Sequence, residues 1–294
     1  MNIIEVQDLT KTYGDLTAVN HIHFTVEEGT MLGFLGVNGA GKSTAINMLS
    51  TLLRPDAGTA TICGHVLGKE DEQIRRKIGI VYQANVLDDL LSVKENLICR
   101  GILHGATRGE AQQALIRVSE ILKLGDILKK RYKLLSGGQK RRCEIAAALM
   151  HTPQILFLDE PTTGLDPATR KDVWQIVETL RKEEKMTVFL TTHYMEEAAE
   201  ADQIIILDHG NIVTSGTPFQ LKERYAKDKL RLFTDKKLPL EGEPTPFGLE
   251  ITLDATLDAL PILASVKDNI QGFEVIQGNM DDVFLNAVGK ALED

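Results

Sequence analysis

Three cysteines, Cys63, Cys99 and Cys143, are all that the 294 residues contain. They are too few and too scattered for a disulfide framework or a zinc site, and they fit a reducing compartment. Long apolar runs are missing too. A helix that crosses a bilayer needs about 20 apolar residues, and stretches such as IIIL at 204–207 are far shorter. The opening residues, MNIIEVQDLT, have neither a basic start nor an unbroken apolar core, so they do not read as a signal peptide. The expectation is a soluble chain that meets a membrane only through a partner. Positive charge is scarce: 33 Lys and Arg against 42 Asp and Glu leave a net −9. Coating nucleic acid needs clustered cations, so no nucleic-acid partner is expected. Internal repeats, low-complexity tracts and long heptads are also absent, which argues against solenoids and long coiled coils.

What is present is ordinary globular material, 43% hydrophobic and 26% charged, enough for a sizeable core. The length allows one large domain or two ordinary ones. Apolar and polar residues alternate over the first 26 positions, which predicts antiparallel strands. Further strands are predicted at 31–36, 59–62, 78–82, 154–159 and 187–192, with a hairpin over 203–213. Strands alternating with helices imply a mainly parallel sheet covered on both faces. The stretch from about 84 to 150 interrupts that alternation with helical periodicity and reads as an inserted helical subdomain. Composition shifts after 217, where KDKLRLFTDKKLPLEGEPTPFG holds several of the nine prolines and reads as a linker. A strand, an apolar helix, a strand and an amphipathic helix follow. The predicted division is therefore 1–220, with its insertion, and a small α+β appendage over 221–294.

GVNGAGKST at 36–44 matches G-x-x-x-x-G-K-[ST], directly after a strand and opening a helix. Glycines let successive N–H groups wrap an oxyanion, and the helix N-terminus adds partial positive charge. Gly36, Asn38, Gly39, Ala40, Gly41, Lys42, Ser43 and Thr44 are the candidate phosphate-binding residues. Lys42 would reach the β- and γ-phosphates of ATP, and the Ser43 hydroxyl would ligate Mg2+. ILFLDEP at 155–161 places Asp159 and Glu160 at the C-terminal end of a buried strand, where ligands sit in parallel sheets. Asp159 is the second candidate for the metal, and Glu160 could accept a proton from attacking water.

A second glycine pair follows far downstream, in LSGGQ at 135–139, again before a helical run. The phosphate loop, LSGGQ and LFLDEPTTGLDP together resemble the ATP-binding subunits of ABC transporters over roughly residues 1–220. The resemblance implies the P-loop ABC ATPase fold: a mainly parallel α/β core, an N-terminal antiparallel β subdomain and an inserted helical subdomain. It implies that two subunits, copies or paralogues, pack head-to-tail, and that Ser136, Gly137, Gly138 and Gln139 cap ATP held by the other subunit. Tyr13 matches the aromatic that stacks on adenine. Gln83 matches the glutamine that links the metal to the helical subdomain. Asp166 matches the loop that crosses to the partner, and His193 the histidine at the γ-phosphate. Glu160 matches the general base. The sequence departs from the family at Val37, where proline is usual, at Ala147, where arginine is frequent, and at Ser92, where threonine is common.

In that family, transmembrane permease subunits dock beside the glutamine loop. Here that surface would be about 84–100, with Leu87, Leu90 and Leu91 as exposed apolar residues, which would hold the chain at the cytoplasmic face of the membrane. GNMDDVFLNAVGK at 278–290 resembles the closing motif of ATPases that serve type-2 exporters, so the expected role is to power export by ATP-driven dimerisation and hydrolysis-driven separation. An importer's ATPase with a regulatory tail is the alternative. A soluble mechanical ATPase acting on ribosomes or DNA is a further one, disfavoured by the single cassette and the acidic balance.

Overall fold

The computed structural model describes residues 1–291; positions 292–294 of the expected appendage lie outside the described residues. Along the chain run β1 (Asn2–Tyr13), β2 (Leu16–Glu27), β3 (Met31–Leu35), α1 (Lys42–Leu49), β4 (Ala57–Ile62), β5 (His65–Val66), α2 (Asp71–Arg75) and β6 (Ile78–Val81). Then come α3 (Val93–Leu103), α4 (Arg108–Ile121), α5 (Gly137–Leu149), β7 (Ile155–Asp159), α6 (Pro167–Glu184), β8 (Thr187–Thr192) and α7 (Met195–Ala198). The chain continues through β9 (Gln203–Asp208), β10 (Asn211–Gly216), α8 (Pro218–Tyr225), β11 (Asp228–Phe233), β12 (Glu243–Thr245), β13 (Gly248–Leu253), α9 (Ala259–Val266), β14 (Gly272–Ile276) and α10 (Met280–Ala291).

Among the described residues these strands form three sheets. The central one has the order β10-β9-β3-β8-β7-β6. All its pairings are parallel except that of β10, which turns back on β9. Every residue of β3 and β8 is buried. That is the pattern of strands covered on both faces. Phe34, Phe157 and Phe189 meet at its centre with ring centroids 5.2–5.3 Å apart, each burial contributing about 1.5–3 kcal/mol. The N-terminal sheet, β2-β1-β4-β5, is antiparallel and packs its Ile4, Val6 and Leu9 against the same core.

The helical insertion is tied to the sheet through α5. This helix packs on α3, α4, β6 and α6, and most of its length is buried. Helices α3 and α4 both begin with a capping box, at Ser92 with Glu95 and Thr107 with Glu110. Serine at 92 therefore does what threonine would do.

The C-terminal region departs from expectation in three ways. The supposed linker contains β11, a central strand of the antiparallel sheet β12-β13-β11-β14. Leu230 and Leu232 alternate into a small core with Leu253, Ala259 and Val266. Lys229 and Arg231 face outward onto Glu250, at 2.9 and 2.7 Å. The boundary expected at 220–221 also falls inside α8, and α10 leaves the appendage. Its Met280, Val283 and Ala287 are buried against the main core, where α10 packs on α8, α7 and β10. Within the VFL of GNMDDVFLNAVGK, Val283 is buried whereas Leu285 is exposed.

Candidate active site

The loop between β3 and α1 is shaped by two glycines. A Cβ at Gly36 would stand 2.6 Å from the Leu207 carbonyl oxygen. At Gly41, φ is +105° and a Cβ would stand 2.2 Å from the Ala18 carbonyl oxygen of β2. No other residue fits there. Lys42 is buried, and its ammonium lies inside the loop, donating to the carbonyls of Gly36 at 2.7 Å and Val37 at 3.1 Å. Burial lowers its pKa, and the nearby Glu160 and Asp159 carboxylates work against that shift. Val37, where the family usually has proline, is exposed.

The acidic end of β7 lies opposite. Asp159 Oδ1 accepts from the Thr191 hydroxyl at 2.6 Å and from Ser43 Oγ at 3.4 Å. Glu160 sits in the turn that follows, with φ +45°, a conformation that costs a side-chain-bearing residue about 1–3 kcal/mol. Its Oε2 accepts from Gln83 Nε2 at 3.2 Å and Thr163 Oγ1 at 3.1 Å. His193 Nδ1 lies 3.3 Å from the same oxygen, and Lys42 Nζ lies 4.0 Å from Oε1. Lys42, Ser43, Gln83, Asp159, Glu160 and His193 therefore converge at the C-terminal ends of β3, β6, β7 and β8. A hard divalent cation suits this donor set. A hydroxyl and a carboxylate already face each other, and Mg2+ takes few protein oxygens when it also binds phosphates.

Several residues that sequence reasoning missed hold this group in place. Thr191 and Thr192 end β8 and point to opposite faces of the strand. Thr191 serves Asp159, and Thr192 donates to the buried Glu197 at 2.7 Å. Glu197 also accepts from Thr162, just past Glu160. Buried Arg141 donates to the carbonyls of Tyr82 and Pro161, both at 2.5 Å, and of Asp159 at 3.3 Å. Burial lowers its pKa to about 10, so it stays charged at neutral pH. Buried Glu144 accepts from the backbone of Val86 and Leu87 and from the Tyr132 hydroxyl. No local signal separates Arg141 and Glu144 from the other polar residues of α5, which opens GGQKRRCE.

The remaining candidates lie elsewhere. Ser136 Oγ accepts from the Gln139 N–H, and Gln139 Oε1 from the Ser136 N–H, so these side chains form a capping box for α5. Ser136 and Gly137 are exposed. The turn lies against the first turn of α6: a Cβ on Gly138 would stand 2.2 Å from Thr169 Cγ2. Asp166 caps α6, accepting from Ala168 N, Thr169 N and the Thr169 hydroxyl. The Thr169 bonds hold its carboxyl below the usual range. Among the described residues, no hydrogen bond or ion pair joins 136–139 to 36–44. Tyr13 is half exposed at the end of β1, with the Lys11 ammonium 5.7 Å from its ring centre. Leu87 corrects the docking expectation: Glu144 pulls its backbone inward and it is 8% exposed, whereas Val86 and Leu90 are 44% and 69% exposed. Ala147 is buried beside a cavity of about 200 Å³ that Arg100, His104 and His151 also line.

Known proteins resemble this arrangement along nearly the whole chain. The family model described as ABC transporter matches residues 19–163. The daunorubicin/doxorubicin resistance ATP-binding protein DrrA of Streptomyces peucetius is 38% identical, over 99% of this chain and 94% of its own. The linearmycin resistance ATP-binding protein LnrL of Bacillus subtilis (strain 168) is 36% identical, over 99% and 100%. The Nod factor export ATP-binding protein I of Burkholderia orbicola (strain AU 1054) is 33% identical, over 99% and 98%. Among solved structures, the dimeric post-hydrolysis state of the ATP-binding cassette MJ0796 bound to ADP and Pi superimposes with a TM-score of 0.66 at 29% identity, covering 73% of this chain and 98% of that one.

Proposed function

The chain belongs to the ATP-binding proteins of the ABC transporter family, and from that premise we propose that it is the ATP-hydrolysing subunit of a membrane exporter. The observation that carries this reading is the convergence of Lys42, Ser43, Gln83, Asp159, Glu160 and His193 at one edge of the parallel sheet. Lys42 and the N–H groups of 36–44 bind the phosphates, with Asn38, Gly39, Ala40 and Thr44 in the same loop. Ser43 and Asp159 hold Mg2+, which when bound neutralises charge on the phosphate oxygens. Glu160 accepts the proton of the attacking water, and Gln83 and His193 orient it. Phosphoryl transfer to water needs positioning and charge stabilisation more than covalent help, and the fixed hydrogen bonds around Glu160 supply positioning.

The exposed Ser136–Gly137 turn completes the site of a second subunit, a copy or a paralogue, with Asp166 beside it. Tyr13 receives the adenine. Among the described residues no helix is long and apolar enough to cross a membrane. Transmembrane permease subunits therefore supply the path, docking on Val86, Leu90 and their neighbours in 84–100 and holding the chain at the cytoplasmic face. The relatives named for drug resistance and Nod factor export support export over import, and the resemblance runs through the appendage.

The test is the solution mass and ATPase rate of Glu160→Gln. Hydrolysis should fall about 10²–10⁴-fold, the usual contribution of a general base, and Mg-ATP should convert the monomer to a dimer. A monomer that binds ATP without dimerising would overturn the shared-site reading.

A further inference from the structure

Glu160 is held in a left-handed backbone conformation, at φ +45°. A residue with a side chain stays there only if its surroundings over-determine it. On one side the Glu160 N–H donates to Thr191, to the carbonyl at 3.0 Å and the hydroxyl at 3.2 Å. On the other side stands Arg141. Its Nη2 bonds the carbonyl of Asp159, before Glu160, and its Nε bonds the carbonyl of Pro161, after it. Its Nη1 bonds the carbonyl of Tyr82, immediately before Gln83, which itself donates to Glu160. The ladder between β6 and β7 pairs Val81 with Leu158 and stops there, so these strand-end carbonyls need donors from elsewhere. A planar guanidinium offers five N–H groups in fixed directions, and here its three nitrogens each serve a different carbonyl; a lysine ammonium has three N–H donors but on a single nitrogen, and does not reproduce that spread.

We propose that Arg141 is the positioning residue of the general base, and that it connects the two halves of the shared site. Arg141 lies on α5, the helix whose first turn is Gly137–Gln139. At 1.5 Å of rise per residue it stands about 6 Å along the axis from Gly137. A shift of α5, when its N-terminus meets ATP on the other subunit, is delivered through three hydrogen bonds to Glu160 and Gln83 of its own site. Each site is then set for hydrolysis by the helix that caps the opposite one. This inference rests on Glu160 being the base and on 136–139 acting in trans.

The experiment compares Arg141→Lys, Glu160→Gln and the double variant in purified full chain, by steady-state and single-turnover ATP hydrolysis. Arg141→Lys should lower kcat at least about tenfold with KM for ATP within about twofold, because binding groups are untouched. It should add nothing to the loss in Glu160→Gln, because it acts through that residue. A folded Arg141→Lys with unchanged kcat overturns the proposal, as does a KM that rises in step, or losses that multiply in the double variant. Should Arg141→Lys fail to fold, Arg141→Gln, whose amide donates two N–H bonds, is put through the same cycle and must show the same non-additivity. If Glu160→Gln alone leaves hydrolysis intact, the base assignment fails by itself, whatever Arg141 does.

Discussion

Two glycine-bearing turns open helices in this chain, and they are built on different terms. At 36–41 the backbone takes a conformation that only glycine tolerates, is pressed against β2 and β9, and wraps a buried lysine. At 136–139 no residue has a positive φ. The turn is exposed at its tip, and its own Ser136 and Gln139 cap the helix. Under the proposed function the first turn is an anion cradle complete within one subunit. The second is a stable helix start with N–H groups at a surface, and under the proposed function its ligand arrives on another molecule. Two glycine turns that look alike in sequence thus differ in whether their surroundings complete a site within one chain.

The sharpest way to break this comparison is to put the same methyl group into each turn. Gly41→Ala places a Cβ 2.2 Å from the Ala18 carbonyl at φ +105° and should cost about 3 kcal/mol or more of stability, together with ATP binding. Gly137→Ala meets only Leu165 Cδ2 at 3.6 Å. It should leave urea unfolding and monomer ATP binding unchanged while abolishing the ATP-dependent dimer. Loss of stability in both would mean the second turn is as constrained as the first.

Mixing separates the turns next. Lys42→Ala and Gly137→Ala should each be inactive alone. Combined, they should regain part of the wild-type rate, since a heterodimer rebuilds one complete site. No recovery would place 136–139 outside the shared site.

The seam between the insertion and the sheet offers a smaller effect. His104, at the end of α3, stacks on His151 with centroids 3.9 Å apart, and His151 bonds the Ile78 carbonyl of β6. Burial, then His104, lowers the His151 pKa to about 4. The unfolded chain therefore takes up a proton between about pH 6.5 and 4 that the folded chain refuses. Stability should be full at neutral pH and fall by about 1–3 kcal/mol as pH drops through that window. His151→Gln should flatten the dependence, read from denaturation midpoints; an unchanged slope would mean His151 does not control it. The smallest expected effect is Ser136→Ala, which removes the cap of α5 and should cost about 1 kcal/mol in the monomer.

Of the residues gathered at the sheet edge, Lys42, Ser43, Asp159 and Glu160 were legible from short local signals, whereas Gln83 and His193 were named only through the family resemblance. A strand, a glycine turn and a helix start fix the placement of Lys42 and Ser43, and an apolar strand ending in two carboxylates fixes Asp159 and Glu160. What failed was reading across distance. Prolines after 237 hid the alternation in Lys229–Phe233 that makes β11 a central strand. Leu87 looked exposed because nothing local announces the buried Glu144 that draws its backbone inward.

By itself the sequence determined the phosphate loop, the acidic strand end, the helix caps and the alternation of strands with helices. Each of these is set by sterics and hydrogen bonds within a few residues. Only the tertiary structure decided that Arg141 clamps the turn around Glu160, that Glu197 joins Thr162 to Thr192, and that α10 returns to the main core. The physical reason is that a buried charge or an apolar stripe declares that it needs a partner, while which partner it finds depends on elements far apart in the chain that pack together.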